Sequence, residues 1–273
     1  MDFRMLAVDM DDTLLGKDLK ITKETIKKIQ LAKKAGVKVI IATGRMFISI
    51  IPFLRQLELT DPVIVYNGAM VCRLGDKKPL LHHPIPLEYA RKIARRVESA
   101  GYQLNAYIND QLYVREQTPE VLRYMQRTGV NSTKVGPIGD FLEEDPTKLL
   151  VIHDNLSEIE QLKAELRSEF GDVLTITQSK PYFIEVMAKG ISKGKTLAEL
   201  AKGLGIAPHE VIAIGDGLND LEMVKWAGLG VAVANAHPEL KEAADYVTGS
   251  CDEEGVAQVI DKFILRRRRA SEE

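Results

Sequence analysis

Short apolar runs alternate with amphipathic stretches at both ends of this chain. The run Met5–Val8 is typical of a buried strand. Similar runs, which also indicate strands, lie at 37–42, 63–66, 211–214 and 229–233. Apolar residues at three- and four-residue spacing predict helices between Thr22 and Gly36 and over about 46–57, 195–204, 221–226 and 255–263. Strands that alternate with helices in this way predict a parallel sheet with crossover helices.

The middle of the chain shows a different order of elements. A helix is predicted over 87–97, followed by a hairpin whose strands lie at 104–108 and 112–115 around the turn residues Asn109 and Asp110. The order then repeats, with a helix over 159–166 and strands over 173–177 and 182–187. A helix followed by a hairpin, found twice, predicts an α+β domain with an antiparallel sheet.

These two patterns together predict the fold class and the domains. We expect an α/β protein with a Rossmann-like parallel-sheet core, formed by residues 1–81 and 190–273, and an inserted α+β cap at 82–189. A core that is split by an insertion is typical of a lid arrangement.

Composition narrows the possible functions. The 273 residues include 37 Lys and Arg against 39 Asp and Glu, a net charge of −2, which argues against nucleic acid or a membrane surface as partner. Cys72 and Cys251 match no metal-ligand spacing, and this cysteine usage favours a reducing cytoplasm. No apolar run approaches the ~18 residues of a membrane span. We therefore expect a soluble cytoplasmic protein, and we expect the arginines at 266–269 to be solvated.

An acidic cluster follows the first predicted strand. Asp9, Asp11 and Asp12 come directly after Val8. Like charges about 4 Å apart repel by roughly 4 kcal/mol at an effective dielectric constant of 20, so a fold keeps such a cluster if a cation lies among the acids or if one acid is protonated. Mg²⁺ is the natural candidate, because it prefers oxygen ligands and often accompanies phosphates. The alternative is a turn with solvated acids, which is common at strand ends.

A second acidic cluster weakens that alternative. Asp216 and Asp220 follow the apolar run 211–214, and the carboxyl ends of strands in an open parallel sheet share one crevice where ligands bind. The predicted strand at 37–42 ends at Thr43 and Gly44, whose hydroxyl and backbone N–H suit a phosphate oxygen. Lys193, at the start of a predicted helix, offers a positive charge to the same crevice.

Two known nucleotide-binding motifs match this sequence poorly. Gly194-Lys195-Thr196 resembles the end of a P-loop, but Lys189 stands where the first glycine of that motif is required. Gly215-Asp216-Gly217 resembles the start of a dinucleotide fingerprint, but Asp220 stands where Gly or Ala is expected.

The sequence as a whole resembles the haloacid dehalogenase superfamily of phosphohydrolases, specifically the Cof-type group with a large inserted cap. The resemblance covers essentially the whole chain. Its motifs occur in the family's order: Asp9-Met10-Asp11-Asp12-Thr13, Thr43-Gly44-Arg45, Lys193 in Ile191-Ser192-Lys193-Gly194, and Gly215-Asp216-Gly217-Leu218-Asn219-Asp220. Tyr66-Asn67-Gly68-Ala69 also recurs in that group. Asp12 is a departure, since the family more often has Gly there; Asp tolerates turn conformations, so we expect the loop to be retained.

The resemblance implies a role for each motif residue. Asp9 would be the nucleophile that forms an aspartyl-phosphate, and Asp11 the general acid and base. Mg²⁺ would be held by the Asp9 carboxylate, the Asp11 backbone carbonyl and Asp216, with Asp220 behind these ligands. The transferring oxygens would be bound by Thr43, Lys193, Asn219 and the backbone N–H groups of Met10 and Gly44. Closure of the cap would exclude water and select the leaving group.

The expected function is therefore a Mg²⁺-dependent phosphatase acting on small phosphorylated metabolites, such as sugar phosphates. A phosphotransferase or phosphomutase that uses the same aspartyl-phosphate is the first alternative. A ligand-binding protein without catalysis is the second, although such a protein has no chemical need for both Asp9 and Asp11. We expect the protein to be a monomer whose only partner is the substrate.

Overall fold

The computed structural model describes residues 3–266. Its helices, in chain order, are α1 Lys23–Lys34, α2 Phe47–Gln56, α3 Leu87–Ser99, α4 Pro119–Thr128, α5 Ile138–Phe141, α6 Leu156–Phe170, α7 Lys193–Gly203, α8 Leu221–Trp226, α9 Pro238–Ala243 and α10 Gly255–Ile260. Its strands are β1 Met5–Val8, β2 Lys38–Ile41, β3 Val63–Val65, β4 Met70–Cys72, β5 Leu81–His82, β6 Gln103–Ile108, β7 Gln111–Val114, β8 Ser132–Lys134, β9 Lys148–Ile152, β10 Leu174–Thr177, β11 Phe183–Ala188, β12 Val211–Gly215, β13 Leu229–Ala232 and β14 Tyr246–Val247.

The chain forms two compact units. The first comprises Met1–Gly44, Ile50–Leu80 and Ser192–Glu273, and the second comprises Arg45–Ser49 and Leu81–Ile191. Arg45–Ser49 groups with the second unit, where the Asp110 carboxylate accepts hydrogen bonds from the backbone N–H groups of Phe47 and Ile48 at 2.9 and 2.7 Å. The domain boundaries expected from the sequence, 1–81 with 190–273 and 82–189, stay a prediction.

The first unit is built on a parallel sheet, as the alternation of strands and helices predicts. The strand order is β14-β13-β12-β1-β2, and each neighbouring pair is parallel. Leu6 of β1 lies between Ile212 of β12 and Val39 of β2 in register, and all three side chains are buried. β1 is flanked by β12 and β2, so its carboxyl end has strand ends on both sides.

Helix α1 shows how local sequence fixes an element of this unit. The Thr22 hydroxyl accepts a hydrogen bond from the backbone N–H of Thr25 at 3.1 Å and so caps the N-terminus of the helix. Gly36 follows the helix with φ of +80°, the left-handed conformation that glycine adopts without steric cost. The predicted helix at 255–263 also forms, although it continues as a π-helical turn over Asp261–Leu265.

The second unit contains a mixed six-stranded sheet in the order β10-β11-β9-β6-β7-β8. Both predicted hairpins form, and Asn109 and Asp110 at the first turn have positive φ angles of 51° and 57°. Two features differ from expectation. β9, which the pattern did not predict, pairs with both β6 and β11 and so joins the hairpins. β8 lies parallel to β7 in a sheet expected to be antiparallel.

In residues 3–266, none of the helices combines the length and the apolar character needed to cross a membrane. Apart from Arg266, the arginines at 266–269 lie outside the described residues.

Candidate active site

The predicted site residues of the first unit lie at the carboxyl ends of its parallel strands. Asp9 follows β1, Thr43 lies two residues after β2, and Asp216 follows β12. The backbone N–H of Asp9 donates to the Ile214 carbonyl at 2.9 Å, which continues the β1–β12 pairing to the point where the acids begin. Carboxylate oxygens of Asp9, Asp216 and Asp220 come within 4.8 Å of one another.

Lys193 is the cation of this acidic cluster. It is the first residue of α7, and its side chain is only 1% exposed. Its ammonium nitrogen donates to Asp9 Oδ1 at 2.5 Å and to Asp220 Oδ1 at 2.7 Å. Burial alone would lower the pKa of Lys193, but the charges of Asp220 and Asp9 outweigh burial and raise the pKa above its usual value. Lys193 therefore stays protonated.

Both carboxylate oxygens of Asp220 accept hydrogen bonds from other groups of the protein. While Oδ1 accepts from Lys193, Oδ2 accepts from the backbone N–H groups of Asp216 and Gly217, each at 3.0 Å. Gly215 allows this close turn, since a Cβ added there would lie 2.5 Å from the Asp220 Cβ. Asp220 thus fixes the loop that carries Asp216 and holds Lys193 in place.

The electrostatics of Asp9 fit a divalent cation. Burial raises the pKa of the Asp9 carboxyl well above its usual value, Asp220 and Asp216 raise it further, and Lys193 opposes these effects. Asp216 accepts a hydrogen bond from the Thr13 hydroxyl at 3.2 Å. The Lys193 ammonium contacts Asp9 and Asp220, Asp216 adds a third carboxylate to the cluster, and carboxylate oxygens are the ligands that hard divalent cations prefer. The donor set is therefore suited to a divalent metal ion.

The loop after Asp9 is a tight turn. The backbone N–H groups of Leu14 and Leu15 both donate to the Met10 carbonyl, at 3.1 and 2.8 Å. Asp12 has a φ of +60°, the conformation in which glycine is usual and Asp is tolerated. Asn235 donates its amide N–H to the Asp12 carbonyl at 2.7 Å. The loop is therefore retained with Asp at this position, and Asp11 within it is half-buried.

Asn67 is a buried residue to which the sequence assigned no role. Its backbone N–H donates to the Thr43 carbonyl at 2.9 Å, and its Oδ1 accepts from Asn219 Nδ2 at 3.0 Å. A Cβ added to Gly44 would lie 3.0 Å from the same Oδ1. Asn67 therefore joins Thr43 and Gly44 to the loop of Asn219 and Asp220. The Asn67-Gly68 pair is a turn signal in the sequence, but nothing in it identifies the side-chain partner.

Comparison with known proteins identifies the family. Residues 6–260 match the sequence pattern of haloacid dehalogenase-like hydrolases. The chain belongs to this family. The Bacillus subtilis 5-amino-6-(5-phospho-D-ribitylamino)uracil phosphatase YitU is 30% identical to this haloacid dehalogenase-like (HAD) hydrolase over 263 residues, which cover 95% of this chain and 97% of the relative. The Escherichia coli pyridoxal phosphate phosphatase YbhA is 28% identical over 97% of this chain and 100% of its own.

Solved structures agree with this assignment. The HAD subclass IIB sugar phosphatase BT4131 aligns with a TM-score of 0.82 and 25% identity over 95% of this HAD hydrolase and 98% of its own chain. The predicted fold class, an α/β protein with a parallel-sheet core and an inserted α+β cap, is confirmed. The resemblance to phosphohydrolases of this superfamily is confirmed too.

The site residues of this HAD hydrolase form two connected groups. Asp9, Lys193, Asp216 and Asp220 make up the acidic cluster, and Asn67 links Thr43, Gly44 and Asn219 to it. Met10 is buried. Arg45, the last residue of the Thr43-Gly44-Arg45 motif, is buried, with only 6% of its surface exposed. The chemical roles of all these residues stay predictions.

Proposed function

We propose that this HAD hydrolase is a Mg²⁺-dependent phosphatase that hydrolyses small phosphorylated metabolites through an aspartyl-phosphate on Asp9. The observation that carries the proposal is the buried Asp9 carboxylate, which is held by the Lys193 ammonium at 2.5 Å beside two further acids. A buried carboxylate with a fixed orientation is suited to attack phosphorus, because the contact with Lys193 restricts its rotation.

The reaction proposed has two displacement steps. First, an Asp9 oxygen forms a bond to phosphorus while the bond to the leaving oxygen breaks, and Asp11 donates its proton to that oxygen. Second, Asp11 takes a proton from water as the water oxygen bonds to phosphorus, and the bond to Asp9 breaks. Inorganic phosphate leaves, and both acids regain their starting states.

The residues around Asp9 would also hold the metal ion. We propose that the carboxylates of Asp9 and Asp216 and the backbone carbonyl of Asp11 ligate Mg²⁺. When bound, Mg²⁺ reduces the repulsion between carboxylate and phosphate and stabilises charge on the transferring oxygens. Asp220 stays behind these ligands, because both of its oxygens accept hydrogen bonds from protein groups.

Fixed donors bind the phosphoryl oxygens in this proposal. They are Lys193, the Thr43 hydroxyl, the Asn219 amide and the backbone N–H groups of Met10 and Gly44. Donors of this kind act most strongly where charge develops in the transition state. The phosphorylated small molecules in the names of YitU and YbhA support a small phosphomonoester as substrate. We further propose that residues 82–189 select the leaving group, and that the protein is a cytoplasmic monomer.

Hydrolysis of an aryl phosphate tests the proposed activity. We expect purified protein to release inorganic phosphate from p-nitrophenyl phosphate with added Mg²⁺ and to lose this activity in excess EDTA, with recovery when Mg²⁺ is restored. Phosphate release measured with and without a sugar or alcohol acceptor distinguishes the phosphotransferase. Turnover that requires the acceptor would favour that alternative, and undiminished turnover in EDTA would contradict the metal requirement.

Mg²⁺ should also stabilise the folded protein. A ligand present at ten times its Kd stabilises the native state by about 1.4 kcal/mol, which raises the melting temperature of a protein of this size by roughly 2–5 °C. Differential scanning fluorimetry of the EDTA-treated protein checks this value. Asp216→Asn should reduce the shift, whereas Asp18→Asn, which changes an exposed acid in the same way, should leave it unchanged. An equal shift in Asp216→Asn would argue against Asp216 as a ligand.

A further inference from the structure

The turn after β3 has an unusual backbone. Tyr66, Asn67 and Gly68 all have positive φ angles, of 52°, 55° and 106°. All three residues are buried. A left-handed conformation costs a residue other than glycine about 1–2 kcal/mol, and such strain persists where the surrounding structure enforces it. Two consecutive non-glycine residues of this kind at a buried turn therefore require contacts that hold them.

Those contacts reach elements that carry proposed phosphate-binding groups. Gly68 packs against the start of α7, since a Cβ there would lie 2.5 Å from the Ser192 carbonyl oxygen. The Gly68 carbonyl accepts from the Thr196 hydroxyl at 2.9 Å. Because Ser192 caps the helix that begins with Lys193, this contact fixes the turn against the element that positions the ammonium group.

The Asn67 side chain makes the corresponding contact with the fourth motif. Its Oδ1 accepts one N–H of the Asn219 amide at 3.0 Å, while Asn219 Oδ1 lies on the side of Gly217, where an added Cβ would be 2.6 Å away. The hydrogen bond to Asn67 restricts rotation of the Asn219 amide and so the direction of its second N–H, and the absence of a side chain at Gly217 leaves room for the amide oxygen in this orientation. The backbone N–H of Asn67 meanwhile holds the Thr43 carbonyl.

We propose that Asn67 is a positioning residue for phosphoryl transfer, which orients the Asn219 amide toward the phosphoryl oxygens. This inference rests on the proposed function. Asn67 itself does not touch the reacting atoms in this scheme; it acts through Asn219. The left-handed turn is the conformation that brings the Asn67 oxygen to both Asn219 and Gly44.

A double-mutant cycle tests this role. Asn67→Gly removes the amide and suits the positive φ, so it isolates the side chain from backbone strain. We expect kcat for p-nitrophenyl phosphate to fall about tenfold with little change in KM, and inhibition by orthovanadate, an analogue of the transition state, to weaken similarly. In a protein that already carries Asn219→Ala, Asn67→Gly should cause no further fall in kcat, because the Asn219 amide that Asn67 orients is absent. Glu58→Gly, an exposed left-handed residue with a φ of 51°, is the matched backbone control.

The results distinguish failure of the positioning role from failure of the proposed phosphatase activity. Losses that multiply in the double variant, or full activity in Asn67→Gly, would overturn the positioning role while the proposed phosphatase activity stands. Absence of phosphate release by the wild-type protein would overturn both. Melting temperatures show whether each variant is folded. If Asn67→Gly does not fold, Asn67→Ser supplies the same comparison, because its hydroxyl is too short to reach Asn219.

Discussion

Asp9→Asn is expected to abolish turnover, by at least about 10⁴-fold, without lowering the melting temperature by more than a few degrees. The amide is a poor nucleophile, so no aspartyl-phosphate forms. We expect the fold to be retained because the substitution removes one of three mutually repelling acids, of which Asp9 and Asp220 are buried and Asp216 is half-buried, and because Lys193 keeps its contact with Asp220 at 2.7 Å. Loss of the charged contact with Lys193 lowers the stability of the folded protein, whereas relief of the repulsion among the acids raises it, so the two effects partly cancel.

Steady-state kinetics and thermal melts of Asp9→Asn check both parts of this expectation. Asp18→Asn is the control, because it makes the same chemical change at an exposed position nine residues further along the chain. It should keep wild-type turnover. Activity of Asp9→Asn within tenfold of wild type would rule out Asp9 as nucleophile.

Lys193→Met is expected to reduce both stability and activity. Its ammonium group is the cation that Asp9 and Asp220 share, and the three side chains are buried. Removing one partner of a buried charge pair costs about 3–5 kcal/mol, because the remaining charges are left uncompensated. For a protein of this size the melting temperature should fall by roughly 6–20 °C. Turnover should fall by about 10²–10³-fold or more, since the donor that we propose for the phosphoryl group is lost.

The pH dependence of Lys193→Met follows from the same charges. Burial already raises the pKa of Asp9 in the wild-type protein, with Asp220 and Asp216 adding to it, and removal of Lys193 takes away the opposing effect. At Asp9 the folded variant then keeps a proton that the unfolded chain releases, so the contribution of this group to stability is present at low pH and is lost as pH rises.

Thermal melts in EDTA should therefore show a deficit in Lys193→Met, relative to wild type, that shrinks between about pH 7 and pH 5. Lys195→Met changes an exposed lysine of the same helix and should melt like wild type. A deficit that is independent of pH would mean that lost packing, rather than uncompensated acid, causes the destabilisation.

The sequence predicted the core of the site better than its surroundings. Asp9 and Asp216 each follow an apolar run, and the geometry of parallel strands brings such residues to one edge. That argument needs only the strand signal before each acid and the geometry of a parallel sheet, not the positions of individual side chains. The predicted helix start already directed the charge of Lys193 to the same crevice, but periodicity does not show that this lysine is buried between two acids.

Other features depend on contacts that no local pattern encodes. Asn67 lies in a recognisable turn, but its partner Asn219 is 152 residues away. β9 is five residues long and begins with the buried Lys148, whose ammonium pairs with Glu185 of β11 at 3.0 Å. A short run that starts with a charged residue gives a weak strand signal, and the partner that makes burial tolerable is again distant in sequence.

Trapping the phosphorylated enzyme tests the central claim most directly. Asp11→Asn should form the aspartyl-phosphate from p-nitrophenyl phosphate, whose leaving group needs little protonation, but hydrolyse it slowly because no base activates water. Acid quenching followed by peptide mass spectrometry should then find one phosphoryl group on Asp9, absent when Asp9→Asn is added. Phosphate release with no phosphoryl group on the protein at any time, or with the group on another residue, would contradict the account.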